Sequence, residues 1–150
     1  VLLSSCFYLF TSANGIPKPG DLIEISRPSG QHGAICSGEG YVIHIVPLCE
    51  LYIYACSKHG DKAIVKKEKL LDVVGTDDYR IHNVLDKQHA PLPISHILQK
   101  AESLVGMVVP YNVLTHNCKH FVTGLRNGVQ QSQQVQLFVV TFYIRIILYS

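Results

Sequence analysis

The chain has 150 residues, of which 47% are hydrophobic and 16% charged, a composition typical of one globular domain. Its basic and acidic side chains leave a net charge of only +2, which does not favour nucleic acid as a partner. It has 5 cysteines and no C-x-x-C motif, which argues against a disulfide framework or a zinc ribbon and favours a reducing environment.

Apolar segments at both ends flank a central unit. Residues 1–15 are predicted to form an apolar N-terminal extension, because they lack the basic region that precedes a secretory signal core. Residues 16–128 carry the regular patterns of a domain, and residues 129–150 are predicted to form a linker and a short apolar tail. The run at 137–149 is shorter than the ~20 residues that a spanning helix needs. It therefore predicts a truncated anchor, a membrane-interface segment or an element packed on the domain.

Strand patterns occupy the first half of the central unit. The segment 16–28 opens with a proline-glycine turn that leads into a short predicted strand. Further β-rich runs predict strands at 62–70 and at 79–85, and two strands within 31–45. The sequence Gly38-Glu39-Gly40 joins the last two and predicts a hairpin whose three-residue loop has glycine at a positive φ.

Helical spacing of apolar residues follows in the second half. Residues 93–106 predict a helix with Ser95 as its N-cap and Gly106 just beyond its end. Residues 117–128 predict a second helix. Strand alternation followed by helical spacing makes the predicted fold class α+β.

Cys118 lies at the start of the second predicted helix. A free cysteine is most often a small buried hydrophobe, and that interpretation is the simplest alternative. Asn117 is a cap-type residue, so Cys118 falls in the first helical turn, where free N–H groups and the helix dipole lower the pKa of a thiol. Lys119 adds a positive charge beside it. These features predict a nucleophilic thiolate.

Zinc binding is the competing hypothesis for this segment. His116, Cys118 and His120 would point the same way only on a strand, whereas the pattern after Asn117 is helical. No second pair of ligands occurs at zinc-like spacing. The sequence therefore predicts no metal site.

His32 and His44 lie on either side of the predicted hairpin loop. If that loop has an odd number of residues, two positions across the hairpin share a face of the sheet when their residue numbers add to an even value. His32 and His44 meet that condition, so their Cβ atoms would lie about 5 to 8 Å apart, either directly opposite or on a diagonal. A cysteine-bearing helix packed on that face would bring a thiol to the two imidazoles. This arrangement predicts a Cys–His–His site of nucleophile, base and orienting group. Four other histidines lie in polar contexts and are expected to be solvated: His59, His82, His89 and His96.

Several segments, taken in order, resemble one known family. The segments PKPGDLIEISRP, QHGAI, GEGYVIHI, KAIVKKE, PLP and NCKHFV are similar to those of the HRAS-like suppressor family of phospholipases A and acyltransferases. That family belongs to the lecithin retinol acyltransferase superfamily, and the resemblance covers about residues 16–128. It implies a circularly permuted papain-like (NlpC-type) fold, with an antiparallel sheet packed against a Cys-bearing helix.

The resemblance also implies roles for three residues. Cys118 would be the nucleophile that carries the acyl group, His32 the general base and acid, and His44 the residue that orients His32. The acyl group would pass from a glycerophospholipid to water or to a lipid amine or hydroxyl. Neither a cofactor nor a metal is implied.

The cysteine usage and the apolar tail together predict a cytoplasmic protein, peripheral to membranes or associated with them through its tail. Five lysines could contact anionic headgroups, although a solvated strand face is the alternative: Lys58, Lys62, Lys66, Lys67 and Lys69. An NlpC-type cysteine peptidase and a non-catalytic interaction protein are the alternative functions. The sequence does not determine the oligomeric state.

Two positions depart from the family pattern. Gly33 follows the predicted base, where members commonly carry an aromatic residue, which bears on the acyl pocket and on the packing of His32. Lys119 replaces the acidic residue that commonly follows the nucleophile, and its charge is expected to favour the thiolate.

Overall fold

The computed structural model describes residues 15–48, 62–112 and 116–131, and six residues nearer the C-terminus at 140–141, 144–145 and 147–148. The N-terminal extension up to residue 14, Lys58, His59 and most of the apolar tail therefore lie outside the described residues. The predicted boundaries of the domain stay a prediction.

Six antiparallel strands form one sheet in the order β5-β1-β2-β3-β4-β6. The strands are β1 (Leu22–Arg27), β2 (Gly30–Gly38), β3 (Tyr41–Pro47), β4 (Lys62–Lys69), β5 (Asp78–Ile81) and β6 (Val108–Pro110). The first five fall where the sequence predicts strands, and the α+β class is confirmed. The prediction missed β6, because three residues are too few to show alternation.

Three α-helices and one 3₁₀ turn accompany the sheet within the described residues up to 131. They are α1 (Leu70–Val74), the 3₁₀ turn (Val84–Lys87), α2 (Ile94–Leu104) and α3 (Cys118–Asn127). The predicted cap Ser95 is wrong, because Pro93 occupies the N-cap of α2 and its extended conformation already leads into the helix. Gly106 follows α2 with a φ of 84°, as expected of a glycine beyond a helix end.

Two apolar clusters cover opposite faces of the sheet, because successive side chains of a strand point in opposite directions. The α3 face combines Leu22, Ile35, Ile43, Ile45, Ala63 and Val65 with Ile97 and Ala101 of α2 and Val122 and Leu125 of α3. The α1 face combines Ile23, Ile25, Ala34, Cys36 and Val42 with Leu70, Val73 and Val74 of α1. The faces thus differ in which helix covers them.

Strands β2 and β3 pair along only part of their length. Their pairs are Ile35 with Ile43, Cys36 with Val42, and Gly38 with Tyr41. By contrast, β2 pairs with β1 as far as Gly30, and β3 pairs with β4 as far as Pro47. Residues 30–34 and 44–47 therefore face each other without a ladder, and we call this gap the β2–β3 split.

The described residues of the tail are helical, and four of them expose apolar side chains: Val140, Ile144, Ile147 and Leu148. Across the ranges that the structure describes, we find no helix with both the length and the apolar character needed to cross a bilayer.

Candidate active site

The first turn of α3 is held in place by a cap. The Asn117 side chain accepts hydrogen bonds from the backbone N–H groups of Lys119 and His120, at 3.0 and 3.2 Å. In return, Nδ1 of His120 accepts a hydrogen bond from the Asn117 N–H at 3.3 Å, which completes a capping box at the start of α3. Gly128 ends the helix in the left-handed conformation. The predicted helix is confirmed, with Cys118 as its first residue.

The Cys118 thiol contacts the part of β2 that has no ladder with β3. Its Sγ donates to the carbonyl oxygen of Gln31 at 3.8 Å, and the Gly33 backbone also hydrogen-bonds to the sulfur. A Cβ atom at Gly33 would lie 3.1 Å from Cγ2 of Val122 and 3.4 Å from the Cys118 carbonyl oxygen. The contact with Val122 is tighter than ordinary van der Waals packing, so glycine at this position lets α3 approach the strand closely.

His32 and His44 contact each other, as the hairpin argument predicts. Nε2 of His32 and Nδ1 of His44 are 2.8 Å apart, and the two rings are nearly perpendicular at 84°. Nε2 of His44 lies 2.7 Å from Oε2 of Glu68 on β4. The His44 residue is only 4% exposed. Three side chains from adjacent strands thus form one hydrogen-bonded chain.

The hairpin reaches the predicted register by a different route. Its turn has two residues, Glu39 and Gly40, with φ of 54° and 79°. A β-bulge between Cys36 and Gly38 adds the extra residue that a three-residue loop would have supplied. The prediction that His32 and His44 share a face is therefore confirmed, whereas the predicted three-residue loop is wrong.

The expectation that α3 packs on the histidine face is also wrong. Strand alternation puts His32 and His44 on the α1 face, together with Ala34 and Val42. Helix α3 packs on the other face, and its first residue meets β2 at the β2–β3 split. The Cys118 thiol therefore reaches the sheet at the backbone of Gln31 and Gly33, the residues on either side of His32 in the chain.

Burial makes the imidazoles neutral at physiological pH. It lowers the pKa of His32 to about 4, and the charge of Arg27, together with that of His44 whenever His44 is protonated, acts in the same direction. Burial also lowers the pKa of His44, although the hydrogen bond and charge of Glu68 oppose that shift. Each neutral ring therefore has one protonated and one unprotonated nitrogen at physiological pH.

The thiol is held in its neutral form. Burial raises the pKa of Cys118 above its ordinary value, while the Gly33 backbone and the charge of Lys119 act in the opposite direction. The expectation of a lowered thiol pKa is wrong, because burial outweighs both favourable terms. The Cys118 thiol and both imidazoles are therefore neutral at physiological pH.

Lys119 serves a buried ion cluster. Its ammonium pairs with the Glu24 carboxylate, which Arg80 also binds at 2.6 Å, and Glu24 is 2% exposed. Burial acts to raise the pKa of Glu24, but these two cations together hold it below its ordinary value. The alternation of β1 places Glu24 in phase with buried Leu22, a signal in the sequence that could have revealed the cluster.

Two of the histidines expected to be solvated are not. His82 has a side chain only 20% exposed, and its Nε2 lies 3.6 Å from Glu24. His89 is half-buried beside Gln131, whereas His96 is exposed as expected. The sequence analysis also missed Glu68, because its contact with His44 depends on the register between β3 and β4, which local patterns do not reveal.

Comparison with known proteins places this arrangement in a family. A family model described as lecithin retinol acyltransferase matches residues 16–131. The protein named phospholipase A and acyltransferase 3 of Homo sapiens is 49% identical over 128 residues, covering 83% of this chain and 79% of its own length.

Two further human relatives extend the match. The protein named phospholipase A and acyltransferase 1 is 44% identical over 141 residues, covering 92% of this chain and 83% of its own length. The protein named phospholipase A and acyltransferase 2 is 46% identical over 129 residues, covering 83% of this chain and 80% of its own length. The chain belongs to the lecithin retinol acyltransferase family, and the resemblance drawn from its motifs is confirmed.

Proposed function

We propose that the protein is a thiol-dependent phospholipase A and phospholipid acyltransferase, with Cys118 as nucleophile, His32 as general base and acid, and His44 orienting His32. The names of its relatives support the reaction class. The observation that carries the assignment is the position of the Cys118 thiol, beside residues 31–33 and at the start of a helix, with His32 bonded to His44.

The chemistry begins with proton transfer. Since Nε2 of His32 is engaged by His44, Nδ1 is the ring nitrogen that accepts the Cys118 proton. The thiolate then attacks the ester carbonyl of a glycerophospholipid. The backbone N–H of Cys118, in the first turn of α3, donates to the oxyanion, and the loss of one such donor typically costs about 10²–10³ in rate.

Collapse of the oxyanion breaks the ester bond and leaves an acyl-thioester on Cys118. The imidazolium of His32 gives its proton to the departing lysophospholipid. Water, or the amine or hydroxyl of another lipid, then attacks the thioester while His32 accepts its proton, and the thiol is restored. Water yields a fatty acid, and a lipid acceptor yields a new ester or amide. None of these steps uses a metal or cofactor.

The proposal extends to the architecture. In papain-like enzymes the cysteine begins a helix that packs on a sheet bearing the base. Here the helix follows the histidine-bearing strands in the chain, the order expected of a circularly permuted, NlpC-type variant. We place the catalytic domain at residues 16–128, within the range that the family model matches.

A membrane surface is the proposed setting for the substrate. Lys62, Lys66, Lys67 and Lys69 of β4 are exposed, and the described residues of the tail expose apolar side chains. Basic residues near anionic headgroups contribute about 1 kcal/mol each. Deleting residues 135–150 should weaken hydrolysis of vesicle lipid while sparing dispersed short-chain lipid. Equal loss on both substrates would show that the tail belongs to the domain core.

Mass spectrometry of the intact protein after incubation with phosphatidylcholine vesicles tests the proposed function. The expected result is one acyl adduct on Cys118 together with released lysophospholipid, and Cys118→Ser should give neither. Cys36, a buried free cysteine, is the internal control and should stay unmodified. A chain that forms no adduct and releases no lysophospholipid would favour a peptidase or a non-catalytic protein.

A further inference from the structure

The hydrogen-bonded chain on the α1 face continues past the two histidines to a carboxylate. It links His32 Nε2 to His44 Nδ1 at 2.8 Å and His44 Nε2 to Glu68 Oε2 at 2.7 Å. Strand β4 pairs Val42 with Glu68, two residues from His44, so Glu68 reaches His44 diagonally across the ladder. The Glu68 side chain is 42% exposed, whereas that of His44 is 5% exposed.

The carboxylate sets the direction of every hydrogen bond in this chain. An ionised carboxylate only accepts, so Nε2 of His44 must carry the proton that it donates to Glu68. A neutral imidazole has one N–H, which leaves Nδ1 of His44 as an acceptor. Nε2 of His32 must then be the donor to His44. It follows that Nδ1 of neutral His32 is unprotonated, which is the form that a base requires.

We propose that Glu68 is a positioning residue of this site, which selects through His44 the His32 tautomer whose Nδ1 is free to accept a proton. This inference rests on the proposed function, because Nδ1 of His32 is the atom that receives the Cys118 proton there. Without Glu68, His44 could instead donate from Nδ1 to His32. The His32 proton would then lie on Nδ1, and the base would be blocked.

The charges around the pair explain why an acidic group is needed. Arg27 and Lys66 both act against protonation of His44, and Arg27 does the same at His32. Arg27 is itself paired with Asp77 at 2.9 Å and bound to the Val73 carbonyl. Glu68 contacts His44 directly, and its hydrogen bond and charge oppose the lowering of the His44 pKa that burial and these cations cause.

Kinetics of Glu68→Gln give the first test. The amide keeps the size of the carboxylate but can donate as well as accept, so both tautomers become populated. We expect kcat to fall about 10-fold with little change in KM, the scale of effect typical of a group that orients a functional histidine. The matched control is Glu102→Gln, because Glu102 is also an exposed carboxylate with one partner, Lys67, at 2.6 Å. Equal losses in both variants, or unchanged kcat in Glu68→Gln, would overturn the inference.

Nitrogen-15 NMR of the imidazoles gives a second test that does not depend on activity. In the unmutated protein at neutral pH, both His32 and His44 should be protonated at Nε2. Glu68→Gln should shift His44 toward protonation at Nδ1, whereas Glu102→Gln should leave both rings unchanged. Protonation of His44 at Nδ1 in the unmutated protein would overturn the inference. If the protein released no lysophospholipid, the proposed function would fail, while this spectrum would still decide the action of Glu68 on His44.

Discussion

The two faces of the sheet treat ionisable groups in different ways. On the α3 face, Glu24 and Lys119 are both buried and pair directly, with Arg80 completing the cluster. On the α1 face, the chain from His32 through His44 ends at the exposed carboxylate of Glu68. The first arrangement satisfies charges that burial would otherwise penalise. The second links two neutral imidazoles to a carboxylate at the surface, so the α3 face holds a paired buried charge and the α1 face holds a hydrogen-bonded histidine pair.

Replacing the thiol should produce the largest effect. We expect Cys118→Ser to lower phospholipase activity by at least about 10³-fold, because a hydroxyl is a far weaker nucleophile than a thiol at this site. Cys36→Ala on the α1 face should retain activity, since Cys36 only packs in the apolar cluster. Release of lysophospholipid from phosphatidylcholine measures both variants. Undiminished activity of Cys118→Ser would contradict the assignment of the nucleophile.

The buried ion cluster should matter more for stability than any exposed pair. Lys119→Met leaves Glu24 buried with Arg80 as its remaining close cation, and we expect a loss of about 3 kcal/mol in the free energy of unfolding. Lys67→Met, which breaks an exposed pair with Glu102, should cost less than about 1 kcal/mol. Urea denaturation followed by circular dichroism compares the two variants. Similar costs would show that burial does not distinguish these pairs.

Adding one methyl group at Gly33 should loosen the packing of α3 on β2. The Cβ of Gly33→Ala would press on Val122, and overpacking of this kind costs about 1–3 kcal/mol. The α3 helix should move away from β2, so activity should fall as well. In a Val122→Ala background the same change should cost less, because the opposing methyl group is gone. A double-mutant cycle in urea measures the coupling, and additive costs would refute the close approach.

The smallest expected effect is the response of activity to mild acid. A pKa of about 4 keeps His32 neutral above that pH, so kcat/KM should stay nearly constant from pH 7 to about 5.5. Activity should decline as the pH falls through about 4, where His32 gains a proton and can no longer act as a base. Assays on dispersed short-chain lipid, with circular dichroism at each pH, measure this profile. A half-maximal rate near the ordinary histidine pKa would show that burial does not depress the pKa of His32.

Local patterns were sufficient for much of the fold. The period-two runs predicted five of the six strands, and Asn117 and Gly128 marked the ends of α3, because caps depend on a few adjacent residues. The same patterns missed α1 and β6, which are too short for a period to show. They also misplaced the cap of α2 at Ser95. Short elements are stabilised by partners distant in sequence, which local propensity does not describe.

The sequence by itself determined the α+β class, the family and the three residues proposed for catalysis, because motif order and strand parity follow from the chain alone. Only the tertiary structure decided that the histidines and α3 lie on opposite faces and that Cys118 contacts β2 where β2 and β3 separate. It also decided that the pKa of the Cys118 thiol is raised and that Glu68 contacts His44. Burial and strand register both arise from contacts between distant segments, and no local pattern contains them.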